Sequence, residues 1–112
     1  MIVGASGENI YPEEIEHVIN SMDGIGESLV IERDGLLIAL VKFDDNVLDW
    51  NLEGQDKFIE DLEQRRKAVL DFVNGKVSKF SKIKDVEIRR EPFSKTATHK
   101  IRRFLYEKAK QQ

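Results

Sequence analysis

Hydrophobic positions along this chain change period several times, and each change marks an element. Ile15, Val18, Ile19 and Met22 recur at helical spacing. Pro12 opens that run with Glu13 and Glu14 behind it. Proline tolerates the first turn of a helix, and acids there meet the positive end of its dipole. Gly24 stops the run. Residues Glu27 to Arg33 and Leu36 to Phe43 read as two strands joined by Asp34-Gly35, a strong two-residue hairpin signal. Leu36-Leu37-Ile38-Ala39-Leu40-Val41 is apolar at every position, so this strand is expected to be central and covered on both faces.

Residues 44–53 are a polar loop holding the single tryptophan, Trp50, read as packing over the core edge. From about Gln55 to Val77 runs a long amphipathic helix. Phe58, Ile59, Leu62, Val69, Leu70, Val73 and Val77 form its apolar side, and Asn74-Gly75 is a place for it to end early. Val86-Glu87-Ile88-Arg89 alternates as a third, half-buried strand. A polar loop follows, then a terminal helix packing through Ile101, Phe104 and Leu105. Met1-Ile2-Val3 is a short apolar stub. The expected fold class is α+β: a small, mainly antiparallel three-stranded sheet flanked by helices, with a short N-terminal strand stub.

At 112 residues the chain is expected to be a single domain, able to bury roughly two thirds of its unfolded surface. It has no cysteine, which excludes a disulfide framework and thiol catalysis. No apolar run approaches the roughly 20 residues of a membrane span, and the start does not read as a signal peptide. A cytoplasmic domain is the expectation. His17 and His99, the two histidines, lie far apart, so no histidine-based metal motif is proposed. The net charge of −3 conceals a division. Residues 1–63 carry sixteen acids against Arg33, Lys42 and Lys57, a net −13, whereas residues 64–112 carry fifteen bases against five acids, a net +10. Such asymmetry fits a second half that meets anions, and equally a set of solvated helix faces that neutralise the first half.

Two segments carry chemistry as a pair. The first is Ser6-Gly7-Glu8-Asn9-Ile10-Tyr11-Pro12-Glu13-Glu14-Ile15-Glu16. The second is Phe93-Ser94-Lys95-Thr96-Ala97-Thr98-His99-Lys100-Ile101-Arg102-Arg103. Together they resemble the two signatures of the C-terminal domain of AMP-forming acyl-CoA synthetases, the superfamily of luciferases and peptide-synthetase adenylation domains. The resemblance covers about residues 1–106. The long helix and Val77-Ser78-Lys79-Phe80-Ser81-Lys82-Ile83 look like the long-chain fatty acid branch.

The resemblance implies a mobile lid on an ATP-dependent fatty acid–CoA ligase, whose N-terminal adenylation domain is absent from these residues and would be the partner. ATP, with Mg²⁺ held mainly by that other domain, and coenzyme A would be substrates beside the fatty acid. Lys100 stands where the family places its adenylation lysine. A carboxylate attacking an α-phosphate brings two anions together, and an ammonium between them stabilises the charge that develops. Lysine suits this as a compact point charge on a long stem. The loop Ser6-Gly7-Glu8 would line the pantetheine tunnel after domain rotation, with Gly7 the closest contact. Thr96 and Arg102 are the further cofactor-binding candidates, and Arg103 is a second arginine able to reach phosphates; Glu14 and Glu16 read as structural. Ser94 stands where proline is usual and His99 where glycine is usual, so a positive φ at His99 is expected. The isolated domain is expected to be inactive.

The alternative is a free-standing binding module that grips RNA or an acidic protein with its basic half. Against it, Phe80, Phe93, Phe104 and Tyr106 sit mostly at core-like spacing rather than as stacking platforms.

Overall fold

In the computed structural model, which describes residues 2, 3, 7 and 9–108, the element order follows the periodicity closely. Strand β1 (Ile2–Val3) pairs antiparallel with β2 (Asn9–Ile10). The N-terminal stub is therefore one arm of a small hairpin, and the Gly7 segment is its connection. Helix α1 (Pro12–Asn20) buries Pro12, Ile15 and Ile19. Strands β3 (Ile25–Arg33) and β4 (Leu36–Phe43) pair antiparallel from Arg33↔Leu36 outward. Asp34 and Gly35 both take positive φ, 53° and 79°, which is the geometry a two-residue turn between twisted strands needs.

Helix α2 (Asp56–Asn74) stops at the Asn74-Gly75 break and does not reach Val77. Strand β5 (Asp85–Ile88) joins the other edge of β4 and runs parallel to it. The sheet, ordered β3-β4-β5, is thus mixed, with the longer pairing antiparallel. Helix α3 (Arg103–Lys108) ends the described chain.

The pleat of β4 divides the interior in two, because alternate side chains point to opposite faces. Leu37, Ala39, Val41 and Phe43 join Val30, Val86, Ile15, Ile19, Val69 and Val73 in the layer under α1 and α2. Ile38 and Leu40 join Leu29, Ile31 and Phe93 on the other face, covered by Ile101 and Tyr106. The central, doubly covered strand expected from its unbroken apolar run is found. Trp50 packs edge-on to Phe58 at 5.2 Å between ring centroids, closing the core margin as expected.

Two apolar assignments differ. Ile59 is exposed because, with Phe58 already turned inward, its neighbour on the helix points to water. Leu105 is exposed as well, Tyr106 packs against the second core face, and the side chain of Phe104 lies outside the described residues.

The connection from α2 to β5 is held by Asn74. Its side-chain amide donates to Ile83 O at 2.9 Å and its carbonyl accepts from Ile83 N–H at 2.8 Å. Ile83 is buried, so its backbone groups have no easy recourse to water. Asn74→Ala is expected to destabilise the fold by about 2–3 kcal/mol, read as a lower urea midpoint at unchanged slope. A loss below about 0.5 kcal/mol would show that other contacts hold the connection.

Candidate functional site

The Lys100 segment is built from its ends inward. Phe93 is 4% exposed on the second face of the sheet and stacks edge-on with Tyr106 at 5.1 Å. The Arg89 guanidinium lies 4.9 Å from the Phe93 ring centroid and 5.0 Å from that of Tyr106, so cation–π attraction bridges the two rings. Tyr106 Oη accepts from Ser94 N–H at 2.7 Å, fixing where the loop leaves the core.

From there the chain forms a short hairpin. Lys95 and Ile101 make an antiparallel bridge, Arg102 N–H donates to Ser94 O at 2.8 Å, and Thr96 N–H donates to Lys100 O at 2.8 Å. His99 N–H closes the tip onto Thr96 O at 2.9 Å. Thr96 Oγ1 accepts from Lys100 N–H at 3.3 Å and lies 3.0 Å from Thr98 Oγ1. Thr96 therefore shapes the turn. His99 takes φ +65°, the left-handed conformation expected for the place where glycine is usual.

The two lysines of the hairpin differ in their surroundings. Lys95 Nζ is paired with the Glu27 carboxylate. Lys100 is exposed, and its ammonium has no ion-pair partner among the described residues. A fixed backbone thus presents a free positive charge on a movable stem.

Arg103, three residues on, is not free to reach phosphates. Its guanidinium donates to both Glu16 carboxylate oxygens at 2.8 and 2.7 Å, and to Val30 O at 3.0 Å. Glu16 also accepts from Val30 N–H at 2.8 Å. Val30 is on the outer edge strand, so this pair satisfies backbone groups that β3 would otherwise leave open. The structural role expected of Glu16 is what is found, and it links the first motif to the second. What the sequence did not reveal was the partner. An acid beside the apolar stripe of α1 and an arginine beside the apolar positions of α3 were the available signals.

An open cleft of about 430 Å³ lies between α1 and the hairpin, lined by Glu13, Asn20, Ser28, His99 and Lys100 among others. A larger one, about 760 Å³, is lined by Trp50, Lys42, Arg90 and Glu27 among others and shares no residue with 93–103. Chemistry singles out the smaller, because it holds the free lysine. Among the described residues no three metal-ligating side chains come together.

Of the remaining candidates, Gly7 is exposed with φ +87°, and a Cβ there would meet nothing within 4 Å. Conformation, not crowding, is what favours glycine. Ser6 and Glu8 lie outside the described residues. Arg102 is exposed, with no ion-pair partner among the described residues. Phe93 is buried and Tyr106 packs against it, so neither offers a ring to a nucleic acid base.

No family model and no curated protein matches the sequence. Solved structures do. The fold is shared with acyl-CoA synthetases. The fatty acyl CoA synthetase of Mycobacterium tuberculosis matches 97% of this chain at 26% identity and a TM-score of 0.68. ATP-bound MatB from Rhodopseudomonas palustris matches 97% at 23% identity with a TM-score of 0.72. The Brucella canis acyl-CoA synthetase matches the whole chain at 22% identity with a TM-score of 0.71. The chain spans about a fifth of their length, 19–20%.

Burial pushes the Glu16 carboxyl above its usual value near 4.5, outweighing the opposing effects of the Val30 amide and Arg103. The folded state then binds the proton more tightly than the unfolded one. The contribution of Glu16 is full in acid and is lost as pH rises through its higher folded value. The stability difference between wild type and Glu16→Gln is expected to shrink as pH rises from about 4.5, measured by urea unfolding across a pH series. A difference that grows instead would mean that the ion pair outweighs desolvation. At the hairpin tip, His99→Val should destabilise by about 1–3 kcal/mol, since a β-branched residue strongly resists positive φ, whereas His99→Gly should not destabilise. Equal effects of the two would show that the tip relaxes to another conformation.

Proposed function

We propose that this chain is the C-terminal lid domain of an AMP-forming acid–CoA ligase and works with an N-terminal adenylation domain on a fatty acid. The observation that carries the proposal is the free Lys100 ammonium on a hairpin fixed by backbone bonds, within a fold shared with acyl-CoA synthetases. The match to a fatty acyl CoA synthetase and the segment 77–83 support a fatty acid as the acid.

In this proposal Lys100 acts by charge alone. Its ammonium offsets repulsion between the acid's carboxylate and the α-phosphate of ATP, and stabilises the charge that builds as they join. No proton needs to move through it. The hairpin bonds and the Arg103–Glu16 anchor hold its backbone, so little ordering remains for the reaction itself. Thr96 contributes by shaping the turn. Arg102 is left to meet phosphate oxygens, and Mg²⁺ would arrive with ATP against residues of the other domain. The Ser6-Gly7-Glu8 connection would line the passage for the CoA arm, where a glycine backbone accepts close approach. The domain by itself would not form acyl-AMP.

In the ligase that contains this domain, Lys100→Ala is expected to slow acyl-AMP formation on the order of 10²–10³-fold. Conversion of supplied acyl-AMP and CoA to acyl-CoA should stay near the unsubstituted rate, because the lysine serves only the first transition state. Equal loss in both half-reactions would remove Lys100 from this role.

A further inference from the structure

The connection between α2 and β5 has a composition and a geometry that carboxylate activation does not use. Lys76, Lys79, Lys82 and Lys84 fall within nine residues, all exposed, and no acid occurs between Asp71 and Asp85. The two Asn74 bonds to Ile83 close the segment, while Val77 packs against the core beneath the helices. The lysines therefore stand on a loop anchored at both ends.

Like Lys100 and Arg102, they are in no ion pair among the described residues, whereas many of the other cations are tied down. Arg33, Lys42, Arg65, Arg66, Arg90, Lys95 and Arg103 each sit in an ion pair. The four loop lysines have none among the described residues. The nearest acids in sequence do not neutralise them: Asp85 is turned to Arg66, and Asp71 is exposed on α2. Glu14 shares a small cleft with Lys76. In the middle of the loop Phe80 is 46% exposed, with Lys79 Nζ 5.0 Å from its ring centroid. Phe80 is thus not at the core-like position its spacing implied.

An exposed aromatic ring among unpaired lysines matches a surface that is anionic outside and apolar just beneath. We infer that loop 75–84 docks this domain on an anionic lipid bilayer, with Phe80 entering the headgroup–acyl boundary and the four lysines meeting lipid anions. Lysine stems can lie along apolar surface while their ammonium groups stay at the headgroups. A single-stranded nucleic acid fits less well, since such platforms use successive aromatic rings and this loop offers one. The inference goes beyond the ligase proposal and does not rest on it.

The test is sedimentation of the 112-residue chain with phospholipid vesicles. Vesicles containing about one third phosphatidylserine should bind it, phosphatidylcholine alone should not, and raising KCl from about 0.1 to about 0.5 M should release it. Lys79→Gln with Lys82→Gln should lower the partition coefficient roughly 25-fold, about fivefold per lysine. Phe80→Ala should lower it several-fold, whereas Lys57→Gln with Lys67→Gln on α2 should leave it unchanged. These are exposed positions, and circular dichroism would verify that each variant folds. Three outcomes would overturn the inference: no binding to the anionic vesicles, equal binding to both lipids, or undiminished binding by the Lys79/Lys82 variant. Binding of an RNA oligonucleotide in place of vesicles would also overturn it, and would make the loop a nucleic acid surface.

Discussion

Strand β4 cannot tolerate water on either face. Leu37, Ala39, Val41 and Phe43 look one way and Ile38 and Leu40 the other, so two separate covers must be found for one strand. Each of these side chains other than Ala39 contributes about 1.5–3 kcal/mol when buried, and a sheet with one face left open would forfeit several of them. Helices α1 and α2 supply the first cover. The second comes from Phe93, Ile101 and Tyr106, residues that bracket the Lys100 hairpin. The segment that carries the candidate chemistry is thus held in place by the demand of the core.

Electrostatics completes what packing begins. Burying Phe93 and Ile101 fixes the two feet of the hairpin, but the edge of β3 beside it would still show open backbone groups. Glu16 and Arg103 close that edge at Val30 and join α1 to α3 across it. Burial raises the Glu16 pKa even so, which means that the ionised pair is retained against a desolvation penalty. The pair links the two motifs, joining α1 to the start of α3. With Arg103 and Lys95 both occupied by carboxylates, Lys100 and Arg102 are the hairpin cations left to act on something outside the chain.

Sequence periodicity read most elements well because each reports a local condition. The Asp34-Gly35 turn, the start at Pro12 and the apolar run of β4 all depend on neighbours within a few positions. It read less well where partners are distant. Nothing local shows that β5 lies parallel to β4 while β3 lies antiparallel, since the alternation of Val86 and Ile88 is the same in either direction. Helical spacing also could not decide which of Leu105 and Tyr106 faces the sheet, because Phe93 makes that choice from twelve or more residues away.

The candidate site divides along the same line. The resemblance to the acyl-CoA synthetase signatures pointed to Lys100, and His99, standing where that family has glycine, takes the positive φ a glycine there would allow. Whether a charge is free is not local. Lys95 and Lys100 sit five residues apart on one loop, and only the approach of Glu27 from β3 distinguishes the bound one from the available one. By sequence Arg103 was one of two arginines able to reach phosphates, and Glu16 and Val30 occupy it. The sequence by itself determined which groups could carry chemistry, and the tertiary structure decided which were left to do so, because each ion pair joins groups that are far apart along the chain.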